Sequence, residues 1–147
     1  MSPRVGLSAK WLVDGQVVSD HIITKNGLEA IAKILAGKWT VNGWYIKLGS
    51  DATPEDVLDS QLYSEVLSKQ ASVEVESDPY FSRATFTATF TASELSGQTI
   101  GELGLIVSVT LEDGSTIQDV LIDRTMYGPA SFDTDKTFTC ILEFRRW

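Results

Sequence analysis

The chain has 147 residues, of which 43% are hydrophobic and 22% are charged, and these proportions are close to those of soluble globular proteins. A formal net charge of −8 makes a nucleic acid or an anionic membrane surface a poor electrostatic match for it. Because its single cysteine excludes an internal disulfide and no apolar run approaches the roughly 20 residues of a membrane helix, we expect one soluble domain over residues 1–147, without an export signal.

The first predicted element is a β-hairpin. Asp14-Gly15 stands between two short β-prone segments, residues 11–13 and 16–18, and Asp-Gly favours the tight turn that joins antiparallel strands. The only histidine, His21, follows residues 16–18 and is expected in the same second strand. Nothing in its spacing to a nucleophile and an orienting group supports catalysis, so we interpret it as a structural or surface residue.

A helix is predicted over residues 26–36. Asn26 is a good N-cap with Glu29 three residues later, and Gly37 is a typical residue to follow the last turn. Four apolar residues recur at the i, i+3, i+4, i+7 spacing of one buried stripe: Leu28, Ile31, Ala32 and Leu35. A helix of about three turns is too short to be stable alone, so it must pack on another element.

The rest of the chain reads as strands. Residues 83–91 alternate Ala and Phe with Thr, residues 137–145 repeat the period of two, and Asp113-Gly114 marks a second hairpin. Two more strands are predicted at 43–49 and 65–76, and 93–99 is the best candidate for a mobile connection. Without βαβ alternation, we predict a mainly β protein: an antiparallel two-sheet β-sandwich of seven or eight strands, with the short helix over one end or edge.

The acidic and nucleophilic residues do not form a recognisable catalytic set. Cys140 is predicted to pack inward as a small apolar group. The acidic stretch with Asp51, Glu55, Asp56 and Asp59 is interpreted as a solvated loop, with a weak calcium site as the alternative.

Two further sequence features have structural explanations. Asp119 and Asp123 are predicted to lie on an exposed strand face, roughly 13 Å apart. The glycines of residues 101–104 are predicted to allow a bulge or close backbone packing rather than nucleotide binding. We therefore predict no catalytic, cofactor-binding or metal-binding residues and no enzyme activity.

The remaining candidates are residues for protein contacts, since aromatic residues, Met and Arg are enriched at interfaces. Six aromatic residues are predicted to fill the core: Trp11, Trp44, Phe86, Phe90, Phe138 and Phe144. The predicted partner contacts are Tyr80, Tyr127, Pro129, Arg145, Arg146 and Trp147.

The order of several segments resembles a family of small structural proteins of tailed bacteriophages. Residues 23–33 match a T-x-x-G-x-x-x-I-A helix. Residues 100–105 match the motif ϕ-x-E-x-G-L, in which ϕ is an apolar residue. The other matching segments are 44–54, 60–65, 121–129 and 136–144. The resemblance covers about residues 20–147 and leaves the first 18 as a hairpin or an arm that contacts a neighbour.

The resemblance implies a virion protein without catalytic activity, assembled in the host cytoplasm. It would be an adaptor or a tail-fibre-like component of the tail, collar or baseplate, docked on other virion proteins and on copies of itself, with three or six copies expected. Two alternatives remain. One is a capsid decoration protein on the outer head surface, and the other is a carbohydrate-binding module that holds a host-surface glycan on Trp39, Trp44 and Tyr45.

Overall fold

The computed structural model describes residues 5–21 and 23–146, in which nine strands and two helices are formed. In chain order they are β1 (Val5–Val13), β2 (Gln16–His21), α1 (Lys25–Leu35), β3 (Thr40–Gly49), β4 (Glu65–Gln70), β5 (Ser72–Ser77), β6 (Phe81–Phe90), α2 (Ala92–Leu95), β7 (Ile100–Thr110), β8 (Ile117–Ala130) and β9 (Lys136–Arg146). The His21 side chain and all of Trp147 lie outside the described part of the chain.

The strands form two antiparallel sheets, which confirms the predicted sandwich-like, mainly β fold. Nine strands are described instead of the predicted seven or eight, and the one-turn helix α2 accompanies the predicted three-turn helix. The five-stranded sheet has the order β2-β1-β9-β6-β5, and the four-stranded sheet has the order β4-β3-β7-β8. The predicted strand 65–76 is divided at Ala71, so that β4 belongs to one sheet and β5 to the other. The predicted first hairpin is formed by β1 and β2, and β1 also pairs with β9 along its whole length.

The core lies between the sheets and follows the predicted alternation. Phe86, Phe90 and Phe138 are buried on the inner face, and Cys140 packs inward beside them as predicted. Burial raises the pKa of the Cys140 thiol well above its ordinary value. Phe144 was expected in the core but is 38% exposed, because it lies near the end of β9, opposite Leu7 and Ser82.

Both predicted Asp-Gly turns are formed. Asp14 and Gly15 have φ angles of 50° and 81°, the left-handed pair that a tight hairpin turn requires. In the second turn, the Asp113 carboxylate accepts hydrogen bonds from the N–H groups of Ser115 and Thr116 and from the Thr116 hydroxyl. These donors, the hydroxyl above all, stabilise the ionised form and lower the pKa of Asp113 to about 2.

Helix α1 is where predicted, but its start and its buried face differ. The N-cap is Thr24 rather than Asn26: its Oγ1 accepts the N–H of Gly27 at 2.9 Å and its hydroxyl donates to the Leu121 carbonyl at 2.6 Å. The second bond links the start of the helix to β8. Asn26 already lies within the helix, which begins at Lys25, and is therefore not the N-cap.

The predicted apolar stripe of α1 was wrong for Leu28, Ala32 and Leu35 but right for Ile31, which packs against the core. Leu28 is 53% exposed and Leu35 is 81% exposed, whereas Gly27 and Ala30 are buried. A Cβ on Gly27 would lie 2.8 Å from the carbonyl oxygen of Ile122. The helix thus approaches the β8 backbone so closely that only small residues fit between them.

Residues 93–99, predicted as a mobile connection, include most of the one-turn helix α2. Thr91 and Glu94 form a capping box, and Leu95 is fully buried beneath it. The buried leucine fixes the segment to the core.

We predict that Gly27→Ala lowers the free energy of unfolding by about 1–3 kcal/mol, because the added methyl group overlaps the Ile122 backbone. Leu35→Ala should change it by less than about 0.5 kcal/mol, since Leu35 is largely solvated. Urea unfolding measures both. A larger effect for Leu35→Ala than for Gly27→Ala would show that the leucine stripe is the buried face.

We also predict that the Asp113 turn is lost only in strong acid. Because the folded pKa of about 2 lies below the ordinary 3.8, the turn's stabilisation is complete above about pH 3.8 and disappears as the pH falls through 2. The amide resonances of Ser115 and Thr116, followed by NMR, should shift with a midpoint near 2. A midpoint near 3.8 would exclude these hydrogen bonds in solution.

Candidate functional site

A buried ion pair joins β7 and the neighbouring edge strand β8 of the four-stranded sheet to the loop beside them. Arg124 on β8 and Glu102 on β7 have fully buried side chains, and Nε donates to Oε1 at 2.7 Å. Gly49 on β3 lies directly opposite Glu102, and a Cβ at Gly49 would overlap the Glu102 carboxyl group. The glycine therefore makes room for the carboxylate.

Glu102 also holds the chain segment of residues 50–64. Its carboxylate accepts the N–H groups of Tyr63 at 2.9 Å, Ser64 at 2.8 Å and Asp51 at 3.4 Å. Because these donors stand near both ends of the segment, one carboxylate fixes the segment where it leaves β3 and where it returns to β4. The predicted bulge in residues 101–104 is confirmed here, since the pairing of β7 with β8 shifts between Ile100 and Glu102.

The Arg124 guanidinium is enclosed by the same segment. Its central carbon lies 4.0 Å from the centre of the Tyr63 ring, Nη1 lies 3.4 Å from Asp59, and Nη2 lies 3.8 Å from Asp51. Nη2 has no hydrogen-bond partner within the described structure. Tyr63 donates its hydroxyl to Asp59 at 2.6 Å, and this bond is the main cause of a raised Tyr63 pKa. The ring, the carboxylates and the cation thus stabilise one another.

The prediction of a solvated acidic loop was wrong for Asp59, which is 7% exposed because it pairs with Arg124. The other carboxylates have separate partners: Asp51 accepts the N–H of Thr53, Asp56 that of Leu58, and Glu55 that of Met126. No group of three or more His, Cys, Asp or Glu residues in the described part of the chain could hold a metal ion.

Asp123, predicted to be exposed, is fully buried and accepts the indole N–H of Trp11 at 2.6 Å. The cause is a register shift: Leu121 lies opposite Ile106, but Asp123 lies opposite the adjacent Leu105. The extra residue reverses which face each later side chain occupies. Asp119, which precedes the bulge, stays exposed as predicted.

Three predicted partner contacts meet at one end of the five-stranded sheet. Tyr80 lies in the turn between β5 and β6 and is 65% exposed. Arg146 donates its backbone N–H to the Tyr80 carbonyl at 3.0 Å and its Nε to the Pro79 carbonyl at 2.9 Å. The turn and the end of β9 therefore form one unit.

Aromatic and cationic groups alternate over this unit. The guanidinium groups of Arg83 and Arg145 lie 4.1 Å and 5.2 Å from the centre of the Phe81 ring. A shallow concavity of about 210 Å³ runs between the turn and the partly exposed Phe144. We call this region the end surface, formed by Tyr80, Phe81, Phe144, Arg145 and Arg146.

The other two predicted partner contacts in the described part of the chain, Tyr127 and Pro129, lie away from the end surface. Tyr127 is half-buried and its ring centre is 6.2 Å from that of Phe132, which packs on Phe138 near the opposite end of β9. Partial burial raises the pKa of Tyr127. Pro129 is exposed on the same part of β8 and follows a cis peptide bond. The structure thus brings Tyr80, Arg145 and Arg146 together and separates Tyr127 and Pro129 from them.

The aromatic residues considered for glycan binding do not share a surface. Trp39 and Trp44 each pack against the main core, and the Trp44 ring centre is 4.5 Å from that of Phe86. Tyr45, the next residue in the strand, points to the other face and packs against a separate small cluster of Leu62, Ile106 and Leu121. A flat platform of all three rings is therefore not formed.

Comparison with protein-family models, curated proteins and solved structures gives no match to this chain. Within the described residues, neither helix is long and apolar enough to cross a membrane.

We predict that Glu102→Gln lowers the free energy of unfolding by about 3 kcal/mol, because it leaves the buried Arg124 cation with only its weaker contacts. It should also speed hydrogen exchange at the Tyr63 and Ser64 amides. The matched control is Glu112→Gln, which breaks the exposed pair with Lys33 and should cost at most about 1 kcal/mol. Equal costs would show that the buried pair contributes no more than a surface pair.

Proposed function

We propose that this chain is a non-enzymatic structural protein of a tailed-bacteriophage virion. It acts as an adaptor or fibre-like component of the tail, collar or baseplate by docking on other virion proteins and on copies of itself. The observation that carries this proposal is the end surface, where an exposed tyrosine, a partly exposed phenylalanine and two arginines meet beside a shallow concavity. These are the residue types enriched at the centres of protein interfaces.

The contacts among the matching segments support the family resemblance. Glu102, from the segment 100–105, binds Arg124 from 121–129 and the backbone of residues 63 and 64 from 60–65. Thr24 and Gly27 of the helix motif contact the backbone of Leu121 and Ile122. The residues that carry the resemblance are therefore mutual structural contacts, as expected for a motif that specifies a fold rather than a reaction.

The end surface is held rigid before any partner binds. Its backbone is fixed by two hydrogen bonds from Arg146 to the turn at Pro79 and Tyr80. Arg83 and Arg145 both bond to Glu143, so the cations are positioned before a partner arrives. Little side-chain entropy is then lost on binding, which favours affinity.

The copy number in purified particles, measured by quantitative mass spectrometry against the major capsid protein, tests this proposal. We expect a few copies per particle, in multiples of three or six, for a tail, collar or baseplate component. Hundreds of copies would instead identify a capsid decoration protein. Absence from the particles would overturn the virion proposal.

We further predict that Tyr80→Ala combined with Arg145→Glu reduces incorporation into particles by at least about tenfold, since centrally buried Tyr and Arg residues each contribute about 2 kcal/mol or more to an interface. The matched control is Ile117→Ala, which removes an equally exposed apolar side chain from the second Asp-Gly hairpin. Circular dichroism and thermal unfolding verify that both proteins stay folded. Normal incorporation of the double variant would exclude the end surface as the docking site.

A further inference from the structure

Strand β5 is a regular, exposed edge of the five-stranded sheet. All six of its residues, Ser72–Ser77, are exposed, and it pairs with β6 through six consecutive residues without a register shift. A regular strand at a sheet edge presents a row of backbone N–H and C=O groups that can pair with another chain.

The other edge strands of the described sheets are interrupted. The pairing of β2 shifts opposite Trp11 and Leu12, and that of β4 shifts at Leu48 and Gly49. Strand β8 has two shifts in its pairing with β7 and a cis peptide before Pro129. Bulges, prolines and charged side chains, above all lysines, protect sheet edges from pairing. Residues 72–77 contain no proline and no lysine, and their two charged residues, Glu74 and Glu76, are both negative, so they repel an acidic strand but attract a cationic one.

The alternation of hydrogen-bonded and non-bonded residue pairs in the β5–β6 hairpin shows which backbone groups of β5 face away from β6. At the turn, the N–H of Asp78 donates to the carbonyl of Phe81 at 2.9 Å, which makes these two a hydrogen-bonded pair. Hydrogen-bonded and non-bonded pairs alternate along an antiparallel ladder. Val73, Val75 and Ser77 are therefore in non-bonded positions, and their N–H and C=O groups face the open edge.

The side chains of β5 give the edge two chemically different faces. Val73 and Val75 lie opposite Phe86 and Ala84 on the inner face of the sheet, yet they are 45% and 71% exposed. Glu74 and Glu76 lie on the outer face, where Glu76 pairs with Arg83 across the strand at 2.9 Å. An added strand would meet an aliphatic face on one side and an acidic face on the other.

We propose that β5 binds an extended segment of another protein by strand addition, and that this segment alternates cationic with aliphatic side chains. Its Lys or Arg residues lie next to Glu74 and Glu76, and its aliphatic residues cover Val73 and Val75. A second copy of β5 fits less well. If two copies of β5 paired antiparallel over most of their length, Glu74 of one copy would lie opposite Glu74 or Glu76 of the other. Like charges directly opposite each other are destabilising.

This inference does not depend on the virion proposal, because it rests on the edge of β5 and not on the end surface. The probe is a capped heptapeptide of alternating Val and Lys, added to the full chain and followed by amide hydrogen exchange. With the peptide at about ten times its Kd, exchange at Val73, Val75 and Ser77 should slow by about tenfold. Glu74 and Glu76 should change little, since their amides already bond to β6. Protection at none of the three outward amides would overturn the proposal.

Substitutions at Val75 and Glu74 test the two parts of the recognition. Val75→Pro removes an outward N–H without removing a bond to β6, and it should weaken peptide binding by at least about tenfold. Val75→Thr keeps the N–H and should bind within about twofold of the original chain. Glu74→Lys should weaken the Lys peptide and favour the corresponding Glu peptide. Unchanged binding by Val75→Pro would overturn strand addition.

Two further peptides keep the proposal falsifiable if Val75→Pro does not fold. The first is a Lys-Val peptide with a central proline, which has the same charge but cannot pair as a strand. The second is N-methylated at its valines, which removes the amide protons that would bond to the outward carbonyl groups of β5. Both should lose binding to the original chain. If either bound as well as the parent peptide, the attraction would be electrostatic alone and the proposal would fail.

Discussion

The buried charge of Arg124 is the constraint on which much of the structure depends. A guanidinium without solvent must be compensated by nearby carboxylates, and here Glu102, Asp59 and Asp51 lie within 3.8 Å of it. The carboxylates come from β7 and from the segment 50–64, so the requirement to neutralise one cation fixes the path of a long connection. The absence of a side chain at Gly49 is part of the same solution, because any larger residue would displace Glu102.

The sequence was sufficient for the architecture because the strands have strong alternation and the turns have specific residues. The Phe/Thr pattern of residues 83–91 could place only one face in the core, and Asp14-Gly15 and Asp113-Gly114 could each form a tight turn. The position of α1 was predictable from its capping residues and apolar spacing, but the face that it buries was not. Gly27, Ala30, Ile31 and Ile34 have the same spacing as the leucine stripe, and tertiary contact with β8 selects this set. Hydrophobicity alone favours leucine, whereas a close approach to a backbone favours glycine and alanine.

The candidate functional site was only partly predictable. Tyr80, Arg145 and Arg146 could be selected by residue type, but their proximity depends on which strands are neighbours, and the pairing of β6 with β9 is not encoded in local pattern. Asp123 was assigned to the wrong face because a bulge shifts its register, and nothing in its neighbouring residues indicates that bulge. Glu102 did leave a signal, because it is the one charged residue of the apolar segment 100–107, and a buried carboxylate requires a cationic partner. Arg124 left a weaker one, since it stands between the polar residues Asp123 and Thr125.

The division of one long strand at Ala71 has a mechanical consequence. Because β4 and β5 follow each other through this single residue, the two sheets are joined covalently along one side of the sandwich. A pull on β5 is transmitted through the backbone to β4, then through its pairing with β3 at Gly49 to the strand that holds Glu102. Tension applied at one edge of the molecule thus reaches the strand that carries the buried Glu102–Arg124 ion pair.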